Sequence, residues 1–405
     1  MPEITSASFF IGKGGDSGLI SFGSGQPDLP PPPSAFAVLQ SYKGFKYGLV
    51  QGEETLREAI AKEHPSASAD EVVVTNGASE AIDLVLRAIS VPGGKVALPR
   101  PYYYSYPHNV MLAGMTPVYY DLDEGKIDFD EFERAVQGCR AVMINSPSNP
   151  TGTVQDVETL RKVEELCNNL GIYVLSDEVY KDLIYVRENY PLKGKRVVTI
   201  NSFSKTYAMC GHRLGYFHSL DRELVSKVVD MKSHTSMNTS IASQAMGLAA
   251  MKERPTYVAP HVAIWEKRRD AIYHGMTKLG LELWKPEGAF YVFPNVAGLL
   301  GKTSAGGRAL NNDEDVCLAL LEEKYVATVH GGESPTPARA TRSCSCVGTK
   351  MPARQRPRSI GKRWDAWTAR SSASRAPNSS PTCCTRSRRT AARPTSRRRS
   401  STTAR

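Results

Sequence analysis

Val197-Val198-Thr199-Ile200-Asn201-Ser202-Phe203-Ser204-Lys205 is an apolar strand that runs without a spacer into a Ser-x-Ser-Lys turn. Similar short β-branched runs flank it: Val72 to Thr75, Lys95 to Pro99, Pro117 to Leu122, Ala141 to Asn145, Ile172 to Asp177 and Leu214 to His218. Helical periods lie between them. Ile82, Val85, Leu86 and Ile89 fall at i, i+3, i+4 and i+7, while Leu160, Val163, Cys167 and Leu170 follow a similar face that Gly171 closes. Strands alternating with helices argue for an α/β fold, whose large domain has a seven-stranded, mostly parallel sheet between helices. Gly93-Gly94 and Pro147 to Gly152 read as loops from their turn chemistry.

Beyond about residue 265 the pattern changes to a charged helix, Glu266 to Leu279, and then to the strand Gly288-Ala289-Phe290-Tyr291-Val292-Phe293. This reads as a smaller α+β domain. Pro27 to Pro33 marks the entry into the large domain. The expected division is an N-terminal segment at 1–35 that packs with the small domain, a large domain at 36–265, an incomplete small domain at 266–331 and a tail at 332–405. No internal repeat is visible.

The net charge of +10 is unevenly spread. Residues 331 to 405 hold 16 Arg and 2 Lys against Glu333 and Asp365, so the body before them is mildly acidic. Cys139, Cys167, Cys210 and Cys317 are scattered, and Cys344, Cys346, Cys383 and Cys384 lack histidines at usable offsets, so neither a metal site nor a disulfide framework is expected. No apolar run reaches the length of a membrane helix, which gives the expectation of a soluble, cytoplasmic chain with no membrane partner.

After Gly332 the sequence turns to Arg, Ser, Thr, Ala and Pro, with no Leu, Phe or Tyr. A disordered basic tail is expected, since such a composition cannot build a packed core. A G+C-rich gene read in a wrong frame yields this mixture, and the change is abrupt, following the well-patterned segments Glu314 to Leu321 and Tyr325 to His330. A frameshifted C-terminus is the expected reading, ahead of a tail that binds nucleic acid.

Three groups stand at the carboxyl ends of strands: Ser202-Phe203-Ser204-Lys205 with Arg213 eight residues on from Lys205, Asp177-Glu178-Val179-Tyr180, and Ser146-Pro147-Ser148-Asn149-Pro150-Thr151-Gly152. In open α/β sheets that is where ligands bind, so the three can share one crevice. In order and spacing, from about Gly25 to His330, the chain resembles the pyridoxal-phosphate-dependent aminotransferases of fold type I, the class I/II or aspartate aminotransferase-like group. The resemblance implies a cofactor, pyridoxal 5'-phosphate, and transfer of an amino group between an L-amino acid and a 2-oxo acid.

Residue roles follow from the resemblance and agree with the chemistry of each side chain. Lys205 would form the Schiff base with the cofactor aldehyde and then shuttle the proton, which requires an amine able to lose its charge. Asp177 would pair with the pyridine nitrogen, and Tyr180 and Asn149 would hydrogen-bond the phenolic oxygen. Gly77 and Ala78 would meet the phosphate at a helix N-terminus, with Ser202, Ser204 and Arg213 completing the cup. Tyr103, in Pro101-Tyr102-Tyr103-Tyr104-Ser105-Tyr106, is placed like the residue that stacks on the ring, with Tyr102 or Tyr104 as rivals. Tyr47 is placed like the residue that reaches the neighbouring subunit's phosphate, which implies a homodimer with shared active sites. Gly25 and Asn149 sit where the family meets the substrate.

The family ends with a strand whose arginine grips the substrate carboxylate, and here the pattern departs at His330-Gly331. Arg339 and Arg342 lie at about the right distance but without an apolar strand, so neither takes that role, and impaired activity is expected. Two other readings remain: a β-lyase or synthase of the same fold, and a non-catalytic protein that binds the cofactor, or nucleic acid through its tail.

Overall fold

Every residue of Val72–Thr75, Ala141–Asn145, Tyr173–Asp177 and Val197–Ser202 is buried, as strands covered by helices on both faces must be. In the computed structural model, residues 18–23, 25–64, 67–186, 189–331 and 344–347 are described. In chain order the strands are β1 (Ile20–Ser21), β2 (Val72–Thr75), β3 (Lys95–Arg100), β4 (Thr116–Asp123), β5 (Lys126–Ile127), β6 (Ala141–Asn145), β7 (Tyr173–Asp177), β8 (Val197–Ser202), β9 (Gly215–Ser219), β10 (Tyr291–Val292), β11 (Val326–Ala327), β12 (Val329–His330) and β13 (Cys344–Val347).

The main sheet has the order β2-β9-β8-β7-β6-β3-β4-β5. Pairings within β4, β3, β6, β7 and β8 are all parallel, whereas β9 runs antiparallel to both β2 and β8. The seven expected strands are present, and the two-residue β5 adds an eighth by folding back on β4 through a turn in which Glu124 and Gly125 both take positive φ. One face packs the helix Ala78–Ile89 over Val73, Val96, Met143, Leu175 and Ile200. Phe132, Leu160, Val163 and Cys167 cover the other side against Val142, Ile144 and Val174. The helix Val157–Leu170 ends on Gly171 at φ 67°, the left-handed cap expected from its glycine.

The charged helix expected from Glu266 begins earlier, at Arg254, and runs to Lys278, so residue 265 lies inside a continuous helix. Pro255 stands in its first turn, where a missing N–H costs nothing. The expected strand Tyr325 to His330 is split into β11 and β12. β1 pairs in parallel with β11, which ties the start of the described chain to its far end.

A short strand lies within the span expected to be tail. Cys344–Val347 forms a strand that lies between β10 and β12, antiparallel to both. The composition after Gly332 argues against a core but does not bar a four-residue strand. Cys-Ser-Cys-Val has no glycine, proline or charge, and β10 and β12 offer backbone donors and acceptors for it to satisfy. The remainder of the expected tail, 332–343 and 348–405, lies outside the described residues. No helix among the described residues is long and apolar enough to cross a membrane, and none of their His, Cys, Asp and Glu side chains cluster in a way that could hold a metal.

Candidate active site

Ser202 ends β8 and caps the single helical turn Phe203–Thr206: its Oγ accepts from the Ser204 N–H at 3.0 Å and donates to Ser204 Oγ at 2.8 Å. That turn aims Lys205 back over the sheet. Its amine donates to the Gly25 carbonyl and stands 5.9 Å from the Tyr180 ring centre and 5.8 Å from that of Phe290. Burial pulls the Lys205 ammonium below the ordinary lysine value, the Arg213 charge adds to this, and Cys210 and Asp177 oppose it.

Asp177, the last residue of β7, is 4% exposed. Its partners are the Tyr106 hydroxyl, which donates to Oδ2 at 2.6 Å, and the Val179 N–H at 3.3 Å, and neither is a cation. Burial raises its carboxyl above the usual range, while these two bonds and Lys205 pull it down. A buried carboxylate with neutral partners calls for a positive group to complete its surroundings, which a protonated pyridine nitrogen would supply.

Tyr180 is buried, and its hydroxyl meets that of Tyr291, from β10, at 2.5 Å. Asn149 is half-buried; its backbone N–H donates to Asn145 Oδ1 at 2.7 Å, and Asn145 Nδ2 donates to the Asp177 carbonyl at 3.0 Å. Asn145 therefore ties the Asn149 loop to β7. Of the consecutive tyrosines, Tyr102 stacks on Tyr119 with centres 5.6 Å apart and Tyr104 is exposed, whereas Tyr103 packs edge-on against Tyr106 at 5.4 Å. Asp177 lies near enough to Tyr103 to help raise its hydroxyl, after burial and Tyr104.

Gly77, at φ 81°, caps the helix Ala78–Ile89 with no side-chain hydrogen bond in its first turn. A side chain there would meet Arg213 Nη2 at 2.6 Å, and one at Gly215 would meet the Ala78 nitrogen at 2.6 Å, so two glycines let three segments converge. The Gly77 N–H is engaged by the Thr75 carbonyl at 2.8 Å. Arg213, exposed and itself at φ 49°, donates to the Cys210 carbonyl at 2.9 Å and the Asn76 carbonyl at 3.4 Å. The donors around this hollow, a helix N-terminus, two serines and a guanidinium, suit a phosphate.

Gly25, Lys205, Asp177 and Tyr180 thus converge, with Tyr103 beside them, and Gly77, Ala78, Ser202, Ser204 and Arg213 form an adjoining cup. Tyr47 stands apart, 83% exposed. Sequence reasoning did not single out Tyr106, Tyr291 or Asn145. Tyr106 lies in the helix Ser105–Leu112, which begins just after the tyrosine run, and no signal in the sequence set it apart from its neighbours.

Over residues 17–352 the chain matches the family described as aminotransferase class I and II. It is 34% identical over 343 residues to the aspartate aminotransferase of Thermotoga maritima, covering 80% of this chain and 86% of that one. With the aspartate aminotransferase of Streptomyces avermitilis the identity is 33% over 340 residues, at 79% and 83% coverage. The crystal structure of the Rhizobium meliloti aspartate aminotransferase superposes with a TM-score of 0.79 at 29% identity, covering 90% of this chain and 94% of that one.

Proposed function

The chain belongs to the class I and II aminotransferases and moves an amino group between an amino acid and a 2-oxo acid with pyridoxal 5'-phosphate, and we propose that Lys205, Asp177 and Tyr180 are the groups that carry the reaction. When bound, the cofactor supplies an aldehyde and an electron-withdrawing pyridine ring. Asp177 would pair with the ring nitrogen, and the Tyr106 hydroxyl orients that carboxylate and favours its ionised form. Tyr180 and Asn149 would bond the phenolic oxygen, Tyr103 would cover the ring, and Ala78, Ser202, Ser204 and Arg213 would hold the phosphate alongside the Gly77 backbone. Lys205 would hold the cofactor through its aldehyde carbon, and its Nζ is the amine that would take up and return the substrate's proton.

The observation that carries this reading is the placement of the Lys205 amine, withdrawn from water beside Tyr180 and Phe290 and, among the described residues, hydrogen-bonded only to a neutral carbonyl. An ammonium so placed gives up its proton more readily than one in water, which attack on an aldehyde requires. Because the Thermotoga maritima and Streptomyces avermitilis relatives are named aspartate aminotransferases, aspartate is the proposed donor. Those names do not favour the lyase or synthase alternative, nor a non-catalytic role. The test is borohydride reduction of the protein with its cofactor, followed by peptide mapping, together with an assay of aspartate against a panel of amino donors. Label on a peptide without Lys205 would defeat the assignment of the lysine, and turnover with other donors only would defeat aspartate.

A cytoplasmic homodimer with shared sites belongs to the same proposal. Phe45, Tyr47 and Leu49 are 93%, 83% and 54% exposed beside a cleft of ≈ 580 Å³ that Tyr42, Ile241 and Leu248 help to line, an apolar surface suited to a second copy. The division into a large domain, a small domain and an N-terminal segment that packs on the latter is supported by the β1–β11 pairing.

A further inference from the structure

Lys232 is 0% exposed, although nothing in the chemistry above uses it. It lies in the last turn of the helix Arg222–Ser233 and donates to the Met237 carbonyl and, at 3.3 Å, to Ser236 Oγ. It also pairs with Glu80, whose Oε2 is 3.7 Å away. Glu80 stands in the first turn of the helix Ala78–Ile89, beside the proposed phosphate cup. Its two oxygens clamp one residue: Oε2 accepts from the Asn76 N–H at 2.6 Å and Oε1 from Asn76 Nδ2 at 3.0 Å. The Asn76 carbonyl in turn receives Arg213 Nη2 at 3.4 Å. A continuous path therefore leads from Lys232 through Glu80 and Asn76 to the guanidinium of the cup.

Glu80 shapes the loop that presents Gly77 and Ala78, but it also places a negative charge within one helical turn of where a phosphate dianion would bind. Unless neutralised, that charge would oppose the phosphate in a poorly solvated setting. We infer that Lys232 is a positioning residue for the phosphate cup, the buried counter-ion that lets Glu80 hold Asn76 in place without repelling the anion. This rests on the reading of Gly77, Ala78, Ser202, Ser204 and Arg213 as the phosphate site. A purely structural ion pair would support the fold and leave phosphate and non-phosphate ligands equally bound.

The full chain, stripped of cofactor, is titrated with pyridoxal 5'-phosphate and with pyridoxal, which lacks the phosphate. Lys232→Met is expected to weaken pyridoxal 5'-phosphate on the order of tenfold and to leave pyridoxal unchanged. Glu80→Gln keeps an acceptor for Asn76 without the charge, so the double variant Lys232→Met/Glu80→Gln recovers affinity to within about threefold of the parent chain. Equal weakening of both ligands, or a double variant as weak as Lys232→Met, would overturn the inference. Should Lys232→Met not fold, Glu80→Gln and the double variant decide it: equal affinities support the inference and a tenfold gap overturns it. A parent chain that binds pyridoxal as tightly as its phosphate ester brings down the phosphate-cup reading itself, and this proposal with it.

Discussion

The Tyr106 hydroxyl donates to Asp177 Oδ2 across 2.6 Å, and burial, with Asp177 beside it, pushes the tyrosine well above its ordinary value, so it remains a donor throughout the working range of pH. Tyr106→Phe removes a bond that lowers the Asp177 carboxyl. The carboxylate then ionises at higher pH, so the acid limb of cofactor binding is expected to move upward, with a loss of roughly 1.5–3 kcal/mol for a bond to a charged group. A pH series of cofactor titrations checks this; an acid limb that stays in place would sink the idea.

Gly25 and Tyr291 are in close register. A methyl group on Gly25 would stand 2.5 Å from Tyr291 Oη, which is already bonded to the Tyr180 hydroxyl. Gly25→Ala is expected to cut turnover on the order of tenfold by displacing that pair, a shift of about 1.4 kcal/mol. Adding Tyr291→Phe removes the conflicting oxygen and should restore part of the loss. Steady-state kinetics on the single and double variants decide it, and independent, additive losses would count against the steric cause.

His64 and His218 lie with ring centres 4.3 Å apart. Burial first, and the nearby Lys181 ammonium second, push His64 down to about 2 and His218 down to about 4. In the unfolded chain each protonates near 6.5, so the unfolded state binds more protons as pH falls below that value. Stability is therefore fully present above about pH 6.5 and is lost on acidification, at up to about 1.4 kcal/mol per pH unit for each histidine. For His218 the loss levels off near pH 4. Chemical denaturation between pH 7 and 5 reads the slope, and His218→Gln should flatten it.

The strand Cys344–Val347 lies between β10 and β12, so its removal unpairs both. A chain ending after residue 340 is expected to melt more than about 4 °C below the full-length protein, whereas one ending after residue 352 keeps the strand and stays close to it. Thermal denaturation of the two truncations is the check. Equal melting temperatures would mean that the strand contributes nothing.

Apart from the two-residue β5, the strands from β2 to β9 were legible because each is a contiguous, largely apolar run, and Lys205, Asp177 and Asn149 because their motifs begin where those runs stop. Such signals are local. Tyr291 was not legible as a partner of Tyr180, since 111 residues separate them and only the packing of β10 against the large sheet's loops brings the hydroxyls together. Tyr106 hid among its neighbours: of four tyrosines within five positions it alone lies in the helix Ser105–Leu112, and nothing in the sequence marks it as the one that meets Asp177. β13 escaped because a four-residue run gives little local signal and its partners, β10 and β12, lie elsewhere in the chain.

The Lys205 amine and the Gly25 carbonyl are 180 residues apart in sequence. At a synthesis rate of roughly 5–20 residues per second, the ribosome spends on the order of ten to forty seconds between making one and making the other. Gly25 thus emerges long before its partner exists, and Tyr291 follows later still. A nascent chain can add β3 to β8 to the sheet as they appear, but β2 must wait for β9 and the reactive centre for Tyr291, which sets cofactor capture after the central sheet is in place.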